Sequence, residues 1–379
     1  MKKEVLYIGG FNLPNKNAAA QRVVANSKIF RELGYYVRLV GLSKDNSCQF
    51  SPFEYEDFEC TNLRYPNTTG EWLQMLTSID CYKKYVNDNT QIVIAYNHPA
   101  IAMERLCRHC HKRGIKVLSD CTEWYEPQGS VLFRCIKGWD VNRRMYKSHL
   151  KLDGIITISK YLDDFYQAKG MKTLLLPPLV DLQESKWQQQ LQDDNDKITL
   201  LYAGSPAGTK DRLDIVIKAL NDIYLSGKRF NFHVVGITKE QYFSVYERGV
   251  NSTLPDFVHF YGRLSHEEVI RMLMESDFQI FLRENHLANK AGFPTKFPET
   301  ISAGTLVLTN PSSNLSDYMV EGINSYNIDI SNKESLRTTL SKPLSLTKNE
   351  IHIKRTRMDR SLFDYRKYIE STKIFIDNL

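Results

Sequence analysis

The second half of the sequence carries several residues with the chemistry to bind a phosphate group. Arg283 ends an apolar run, and Lys210 lies in a loop after an earlier apolar run. Thr295 and Lys296 stand where a helix is predicted to begin, so an N-cap hydroxyl, free backbone N–H groups and a positive charge would meet there. Glu299, one turn into that helix, has two oxygens that can accept hydrogen bonds from a diol such as a ribose.

Together these residues predict a diphosphate site, because two cations and a helix N-terminus all attract an anion. Gly292 adds a position where the backbone can turn tightly or approach a ligand closely. The alternative is that Lys210 and Arg283 are ordinary solvated charges. Their placement after predicted strands favours binding, since ligands of parallel α/β proteins lie at the carboxyl ends of strands.

Alternating strands and helices are predicted to position these residues. In the first half, strands are predicted at residues 5–8, 37–41, 92–96, 116–119 and 154–158, and helices at residues 18–33, 100–113 and 139–152. In the second half, strands are predicted at residues 198–203, 230–236, 258–261, 278–282 and 305–309, and helices at residues 212–226, from residue 298 onward and at residues 361–379. This order predicts an α/β protein with two Rossmann-like, doubly wound domains that face each other across a cleft.

Length and composition agree with two globular domains. The chain has 379 residues, which predicts two domains at roughly 100–200 residues each. Its 42% hydrophobic and 25% charged residues exclude a disordered, collagen-like or coiled-coil protein. A segment rich in Gln and Asp at residues 183–196 indicates the boundary. The predicted domains are therefore residues 1–185 and 186–360, followed by a C-terminal helix at residues 361–379.

Net charge indicates the kind of partner, and cysteine content indicates the cellular compartment. Lys and Arg number 50 against 44 Asp and Glu, and the net charge of +6 fits a partner that carries phosphates. The excess is modest and no nucleic-acid-binding motif is visible, so no nucleic-acid partner is predicted. Seven cysteines in so long a chain predict a reducing cytoplasm and not a disulfide scaffold. We also expect no export signal and no membrane-spanning helix.

One cysteine motif could suggest a cofactor. Cys107, Cys110 and His111 fit the C-x-x-C-H pattern of covalent haem attachment. Haem attachment normally needs export, and a zinc site would need two further ligands at a suitable spacing. We therefore interpret these residues as ordinary helix residues. Gly9-Gly10 does not fit G-x-G-x-x-G, so a dinucleotide oxidoreductase has little support.

The segment at residues 291–299 resembles the nucleotide-sugar signature of the retaining glycosyltransferases of family 4, which have the GT-B fold. That signature has two glutamates eight positions apart: Glu299 matches the second, and Gly292-Phe293 matches the Gly-Phe after the first. The variant Pro294-Thr295-Lys296 is similar to a subset that builds bacterial surface polysaccharides. The loop at residues 202–210 resembles the phosphate loop of the family, and residues 176–181 resemble its interdomain junction.

The resemblance implies a function for many residues of the second half. Glu299 would hold the ribose, and Thr295, Lys296 and Phe297 would offer backbone amides to the phosphates. Lys210 would contact the diphosphate, and it is also predicted, with Arg283, to assist catalysis. The predicted donor-binding residues are Gly204, Ser205, Lys210, Gly236, Arg283, Gly292, Phe293, Thr295, Lys296, Phe297 and Glu299. The C-terminal helix would cross back to pack on the first domain.

The resemblance places the acceptor in the first half. The predicted acceptor-binding residues are Gly10, Asn12, Gln21, Arg22 and His98. For each of them, an ordinary position in a loop or on a helix surface is an equally good interpretation. Asp120 and Glu123, which follow a strand beside Trp124 and Tyr125, are predicted to hold a sugar and to serve as a base or transition-state stabiliser. The alternative is an N-cap aspartate with buried aromatic residues; in a retaining enzyme of this fold the leaving phosphate can also assist deprotonation, so that no protein base is needed.

The implied activity is that of a retaining glycosyltransferase of the hexosyltransferase type. It would move a sugar from a nucleoside diphosphate sugar, with UDP as the expected nucleotide, to a glycan or lipid-linked glycan in polysaccharide biosynthesis. No cofactor besides this co-substrate and no metal are expected. Ala291 replaces the first glutamate, and Ser205 replaces the usual phosphate-loop arginine, whose charge Arg283 would supply. These departures leave two alternatives: a degenerate GT-B partner or regulatory subunit, and another GT-B enzyme such as a nucleotide-sugar epimerase or a phosphorylase.

One segment of the first half mixes basic and large apolar residues. It comprises Phe133, Arg134, Ile136, Lys137, Trp139, Arg143, Arg144 and Lys147. Such a segment can rest on an anionic membrane surface, and the alternative is an amphipathic helix with a solvated basic face. The expected location is the cytoplasm, with a peripheral contact on the inner face of the cell membrane.

Overall fold

A computed structural model describes residues 3–14, 17–45, 51–127, 129–188, 196–204, 211–246 and 253–379. The chain divides into two compact units. The first unit comprises Met1–Leu179, Lys290–Phe293 and Tyr365–Leu379, and the second comprises Val180–Asn289 and Pro294–Asp364. Each unit is described below by itself.

The first unit is built on an eight-stranded sheet in the order β3-β4-β2-β1-β5-β6-β7-β8. Its strands are β1 (Glu4–Gly9), β2 (Tyr36–Ser43), β3 (Phe53–Tyr55), β4 (Phe58–Arg64), β5 (Thr90–Tyr96), β6 (Lys116–Cys121), β7 (Gly154–Thr157) and β8 (Thr173–Leu175). All neighbouring strands run parallel except β3, which is antiparallel to β4. The carboxyl ends of the parallel strands therefore share one edge, where Gly9, Tyr96 and Cys121 end β1, β5 and β6.

Helices cover both faces of this sheet, as a doubly wound fold requires. They are α1 (Ala18–Glu32), α2 (Thr69–Thr77), α3 (Asp80–Lys83), α4 (Ala100–His111), α5 (Val131–Arg143) and α6 (Lys160–Gln167). Successive side chains of a strand point to opposite faces, so Val5 and Tyr7 belong to one apolar core and Leu6 and Ile8 to another. The first core includes residues of α1, and the second includes residues of α4.

The C-terminal segment belongs to the first unit. A 3₁₀ turn at Arg360–Phe363 still lies in the second unit. In the first unit, a 3₁₀ turn at Tyr365–Tyr368 precedes the helix α14 (Ile369–Asp377). Phe375 of this helix packs so closely on Gly154 that a Cβ there would lie 2.7 Å from its ring. The Lys116 ammonium donates to the backbone oxygen of Leu379 at 2.8 Å. The predicted single helix at residues 361–379 is therefore shorter than expected, and it begins only at Ile369.

The second unit contains a six-stranded, all-parallel sheet in the order β11-β10-β9-β12-β13-β14. Its strands are β9 (Ile198–Ala203), β10 (Phe230–Val235), β11 (Val258–Gly262), β12 (Phe278–Phe281), β13 (Leu306–Thr309) and β14 (Ser325–Asn327). The helices that begin in this unit are α7 (Leu213–Leu225), α8 (Lys239–Tyr246), α9 (His266–Glu275), α10 (Leu287–Ala291), α11 (Lys296–Ala303), α12 (Lys333–Ser341) and α13 (Lys348–Arg357). The strand order changes direction beside β9, where the neighbours β10 and β12 lie on either side.

Local sequence signals explain several element boundaries. Asn17 caps α1 by accepting a hydrogen bond from the Ala20 amide at 2.9 Å. Gly304 ends α11 with φ of 76°, a left-handed conformation that favours glycine. Ser265 and Glu268 form a capping box at the start of α9. These signals fix where strands and helices meet, and so where loop residues can reach a ligand.

Most predicted elements are present with boundaries close to those expected, and two helices differ in addition to the C-terminal one. The helix predicted at residues 139–152 begins earlier, at Val131, and continues through a π-helical turn at Arg144–Ser148 and a 3₁₀ turn at His149–Lys151. The helix predicted from residue 298 begins at Lys296. No elements were predicted between β2 and β5, where the structure has β3, β4, α2 and α3.

Candidate functional site

A buried carboxylate, Asp211, collects the cationic side chains at the strand ends of the second unit. Arg283 follows β12, and its Nε donates to Oδ1 of Asp211 at 3.0 Å. Lys296 begins α11, and its Nζ donates to Oδ2 at 2.6 Å. The Tyr202 hydroxyl, in β9, also donates to Oδ2 at 2.9 Å. The two predicted phosphate-binding cations of α11 and β12 thus meet at one point.

The charges of neighbouring side chains outweigh burial in setting the pKa of Asp211. Asp211 is 2% exposed, and burial alone would raise the pKa of its carboxyl group. The Lys296 and Arg283 charges and the hydrogen bonds outweigh burial and hold this pKa well below its usual range. Burial and the neighbouring Asp211 charge raise the pKa of Tyr202 well above its usual value, so its hydroxyl stays a hydrogen-bond donor. The cluster therefore contains one anion and two cations at neutral pH.

Gly204 makes room for Lys296. A Cβ atom at Gly204 would lie 2.5 Å from both Cε and Nζ of Lys296, closer than side-chain atoms approach each other. The lysine therefore crosses the carboxyl end of β9 directly over the Gly204 backbone, with its Nζ 5.1 Å from the centroid of the Tyr202 ring. This close approach, and not a turn, explains the glycine at this position.

The first turn of α11 differs in detail from the prediction. Thr295 occupies the N-cap position but makes no side-chain cap hydrogen bond. The Phe297 amide donates to Pro294 O at 3.1 Å, and the Phe297 side chain is fully buried in contact with Phe363. Phe297 is thus a core residue whose amide is already used within the chain. The predicted contact of this amide with phosphate is not available in this structure.

Glu299 is half-buried on the face of α11 that also carries Lys296, three residues earlier. One of its oxygens lies 3.2 Å from Nε2 of His266, the first residue of α9. His266 was not predicted as a site residue. A carboxylate paired with an imidazole in this way still has a second oxygen with which to accept a hydroxyl hydrogen bond.

The remaining predicted donor-binding residues lie away from the Asp211 cluster or outside the described residues. Ser205 and Lys210 lie outside the described residues. Gly236 ends β10 with φ of 101°, and its amide donates to Gly262 O at 2.6 Å. Gly292 and Phe293 group with the first unit, and the Phe293 side chain is buried.

In the first unit, Asp120 and Arg22 form a buried ion pair. Arg22 Nη2 lies 2.8 Å from Asp120 Oδ1, and the side chains are 4% and 0% exposed. The Tyr7 hydroxyl donates to Oδ2 of Asp120 at 2.5 Å, and Arg22 Nη1 donates to Leu176 O at 2.8 Å. The structure places Asp120 and Arg22 in an internal network that joins β6, β1 and α1. The predicted functions of Asp120 as a base and of Arg22 in acceptor binding stay predictions.

His98 is also internal. It is 3% exposed, its ring packs against Tyr82 at 5.4 Å, and burial, with the nearby Arg144 charge, lowers its pKa to about 4. His98 is therefore a buried imidazole that is neutral at neutral pH, and its predicted contact with the acceptor stays a prediction. Gly10 is exposed, and Asn12 and Gln21 are half-buried, so these three keep surface for a ligand.

Glu123 is exposed two residues after β6. Beside it, Trp124 is buried in an aromatic cluster, with ring centroids 5.0 Å from Phe165 and 5.5 Å from Tyr146. The predicted pair of carboxylates therefore separates: Asp120 is internal, and Glu123 faces solvent.

The cysteine motif lies in α4. Cys107 and Cys110 are buried in the apolar core, and Cys107 Sγ donates to Lys151 O at 3.2 Å. His111 Nε2 lies 2.8 Å from an oxygen of Asp153. Within the described ranges, no group of three or more His, Cys, Asp or Glu residues could hold a metal ion.

Sequence reasoning missed Asp211 and His266. Asp211 follows Lys210 directly, yet its partners lie 72 and 85 residues further along the chain. His266 lies 33 residues before Glu299. No local pattern announces either contact, because both depend on which strands become neighbours.

A known protein family matches most of the second unit. Residues 183–360 match the family model described as glycosyl transferases group 1. A search of curated proteins found no match. The match covers the Asp211 cluster, α11 and its Glu299.

Solved structures with the GT-B fold are similar over nearly the whole chain. Sucrose-phosphate synthase from Thermosynechococcus elongatus has a TM-score of 0.71 at 13% identity, covering 99% of this chain and 98% of that one. WaaG, a glycosyltransferase involved in lipopolysaccharide biosynthesis, has a TM-score of 0.62 at 15% identity, covering 97% and 98%. Anabaena HepE, solved in complex with UDP and glucose, has a TM-score of 0.63 at 12% identity, covering 100% of each chain. The predicted GT-B fold with two Rossmann-like domains is thus confirmed, and the chain is a glycosyltransferase.

Proposed function

We propose that this glycosyltransferase moves a sugar from a UDP-sugar to a glycan or lipid-linked glycan, with retention of anomeric configuration. The observation that carries the proposal is that Arg283 and Lys296 both donate to Asp211 at the strand ends of the second unit. Lys296 begins α11, the helix that also bears Glu299. Two fixed cations suit a diphosphate, and a half-buried carboxylate suits a ribose diol.

The proposed reaction assigns each group a task. The bond between the sugar carbon and the diphosphate oxygen breaks, and a bond to an acceptor hydroxyl oxygen forms. Arg283 and Lys296 stabilise the negative charge that collects on the departing diphosphate. The hydroxyl proton passes to the leaving diphosphate oxygen, with exposed Glu123 as the alternative acceptor of that proton.

The identity of the nucleotide is supported by the similarity to HepE, whose structure contains UDP. Retention and a place in surface-polysaccharide synthesis are supported by the resemblance to family 4. The proposal expects no metal, because the cationic side chains can balance the phosphate charge.

The first test is thermal unfolding in the presence of nucleoside diphosphates, without added metal. A ligand at about 100 times its dissociation constant adds about 2.7 kcal/mol to the free energy of unfolding, which raises Tm measurably. We expect UDP to stabilise the protein and Glu299→Ala to lose that effect, whereas Glu275→Ala, at an exposed carboxylate of the same unit, keeps it. If no nucleoside diphosphate raises Tm, the proposed function is wrong.

The second test is the stereochemistry of the product. We expect the anomeric proton coupling of the transferred sugar to match that of the donor. A product of opposite configuration would refute retention without affecting the assignment of the donor site.

Ala291 supports a second candidate, a degenerate GT-B protein that binds a nucleotide but acts as a partner or regulatory subunit. Ala291 is fully buried, and its backbone oxygen accepts a hydrogen bond from Ser159 at 2.7 Å. Its methyl group cannot contact a sugar as a glutamate would. UDP binding without hydrolysis or transfer of any donor sugar would favour this candidate.

We further propose that the first unit rests on an anionic membrane through α5. Phe133, Ile136 and Trp139 lie three residues apart on this helix, and each is about half exposed. Arg134 and Lys147 are exposed nearby, so apolar and cationic groups share the surface, as a peripheral membrane helix requires. Within the described part of the chain, no helix is long and apolar enough to cross a membrane.

The membrane proposal is tested by sedimentation with vesicles of phosphatidylglycerol and phosphatidylcholine. We expect wild type to bind anionic vesicles and Trp139→Ser to bind much less, while Leu225→Ser, at an exposed leucine of the second unit, binds normally. Equal binding by wild type and Trp139→Ser would refute the assignment of this surface.

A further inference from the structure

Asp211 accepts three side-chain hydrogen bonds and one further contact fixes its backbone. Its carboxylate accepts from Arg283 at 3.0 Å, from Lys296 at 2.6 Å and from Tyr202 at 2.9 Å. The hydroxyl of Tyr246, at the end of α8, donates to the Asp211 backbone oxygen at 2.9 Å. The aspartate is therefore held from β9 and α8 while it holds residues that follow β12 and begin α11.

The charges of the cluster do not cancel. One carboxylate faces two cations, so the group keeps a formal charge of +1 in a buried setting. Arg283 and Lys296 are only 5% and 12% exposed. A buried cation without an anion beside it destabilises the folded protein. We therefore expect Arg283 and Lys296 to change position when the Asp211 carboxylate is removed.

Asp211 uses only one N–H donor of each cation, so further donors of Arg283 and Lys296 are not used by this carboxylate. It accepts from Nε of Arg283, so the two terminal guanidinium nitrogens take no part in this hydrogen bond. It accepts one of the three N–H donors of Lys296, whose stem is held over Gly204. Paired guanidinium nitrogens and a lysine ammonium are the groups that bind phosphate oxygens.

We propose that Asp211 is a positioning residue for the donor diphosphate, which orients Arg283 and Lys296 together at the strand ends of the second unit. The proposal rests on the proposed donor site and adds a residue that does not itself touch the substrate. An anion beside two phosphate-binding cations would, by charge alone, weaken the binding of a diphosphate. The presence of Asp211 is explained if its orientation of Arg283 and Lys296 strengthens diphosphate binding more than its negative charge weakens it.

These two effects predict opposite signs for Asp211→Asn. If charge alone mattered, removal of the negative charge would tighten diphosphate binding. If orientation matters more, the amide, which cannot hold two cations, would leave them misdirected and weaken binding. The direction of the change in affinity therefore decides between them.

The experiment is isothermal titration of UDP and, separately, of inorganic pyrophosphate into wild type and variants. We expect Asp211→Asn to weaken both ligands by about tenfold, the loss of one well-oriented charged contact. In turnover assays the same variant is expected to show a higher KM for the donor and a lower kcat. Tighter or unchanged binding by Asp211→Asn would overturn the proposal.

Asp277→Asn is the matched control. Asp277 is another buried carboxylate of the second unit, paired with Lys348 at 2.8 Å and accepting from the Thr199 amide at 2.8 Å. Its loss should lower Tm but leave the affinity of the folded protein for UDP unchanged. An equal loss of affinity in Asp277→Asn would show that the effect is general destabilisation and would overturn the proposal.

Tyr202→Phe provides a milder test if Asp211→Asn does not fold. It removes one donor to the carboxylate but keeps the ring beneath Lys296. We expect a weakening of UDP binding of about two- to fivefold. Unchanged binding would count against the proposal.

The two ligands separate this proposal from the proposed function. Binding of pyrophosphate but not UDP by wild type would refute the nucleotide assignment, and the variants would still decide the function of Asp211. Wild type that binds neither ligand would refute both.

Discussion

Asp120→Asn distinguishes a structural from a catalytic function of this carboxylate near the end of β6. The substitution keeps the shape of the side chain and removes its charge. In the structure this charge faces Arg22 within 2.8 Å, and the Tyr7 hydroxyl donates to the same carboxylate. Because both members of the ion pair are almost fully buried, the neutral amide would leave the Arg22 guanidinium uncompensated.

The expected cost follows from this burial. Removal of one partner of a buried ion pair costs about 3–5 kcal/mol, and the lower end applies because asparagine keeps one hydrogen-bond acceptor. For a unit of this size, about 3 kcal/mol lowers Tm by roughly 6–12 °C. Calorimetry of wild type and Asp120→Asn measures this shift directly.

Glu123→Gln is the control, because Glu123 is exposed and lies three residues further along. Surface substitutions of this kind change the free energy of unfolding by about 0.5 kcal/mol or less. Transfer activity of both variants is then compared at a temperature at which each is fully folded. If Asp120→Asn has the same Tm as wild type yet loses transfer activity, Asp120 acts in catalysis and the structural argument is wrong.

Two further predictions concern Gly204 and His98. Gly204→Ala should weaken UDP binding by about tenfold, because the new methyl group displaces the end of Lys296 from Asp211, and should also lower Tm, because φ of 157° strains any residue with a side chain. Titration calorimetry at a temperature at which the variant is folded measures the affinity, and unchanged affinity would contradict the prediction. His98 has a folded-state pKa of about 4, below the ordinary value of 6.5, so the unfolded chain binds more protons between these values. Its contribution, about 3 kcal/mol, is therefore complete above pH 6.5 and is lost as the pH falls towards 4. Tm measured against pH should decline less steeply for His98→Gln than for wild type, and identical slopes would contradict the assignment.

The sequence alone predicted the fold class and most elements. Runs such as residues 5–8 and 198–203 are apolar on both faces, which is typical of parallel strands covered by helices on each side. Glycine at the ends of α1 and α11 and the polar loops between elements supplied the boundaries. These are local properties, set by residues only a few positions apart.

The sequence also located the segment that is proposed to bind phosphate, because a helix start with a lysine and a glutamate one turn later is a local pattern too. Lys296 and Glu299 needed only the periodicity of α11 to be placed on one face. Arg283 needed only the end of β12.

Tertiary structure decided which charges face each other. Arg22 and Asp120 are 98 residues apart, and each looked like a surface or catalytic residue until β1, β6 and α1 came together. Asp211 gained its contacts in the same way, since Arg283 and Lys296 reach it only through the order of β9, β12 and α11. Periodicity encodes which face of an element is buried, but the partner of a buried charge depends on contacts between distant elements, and these exist only in the folded chain.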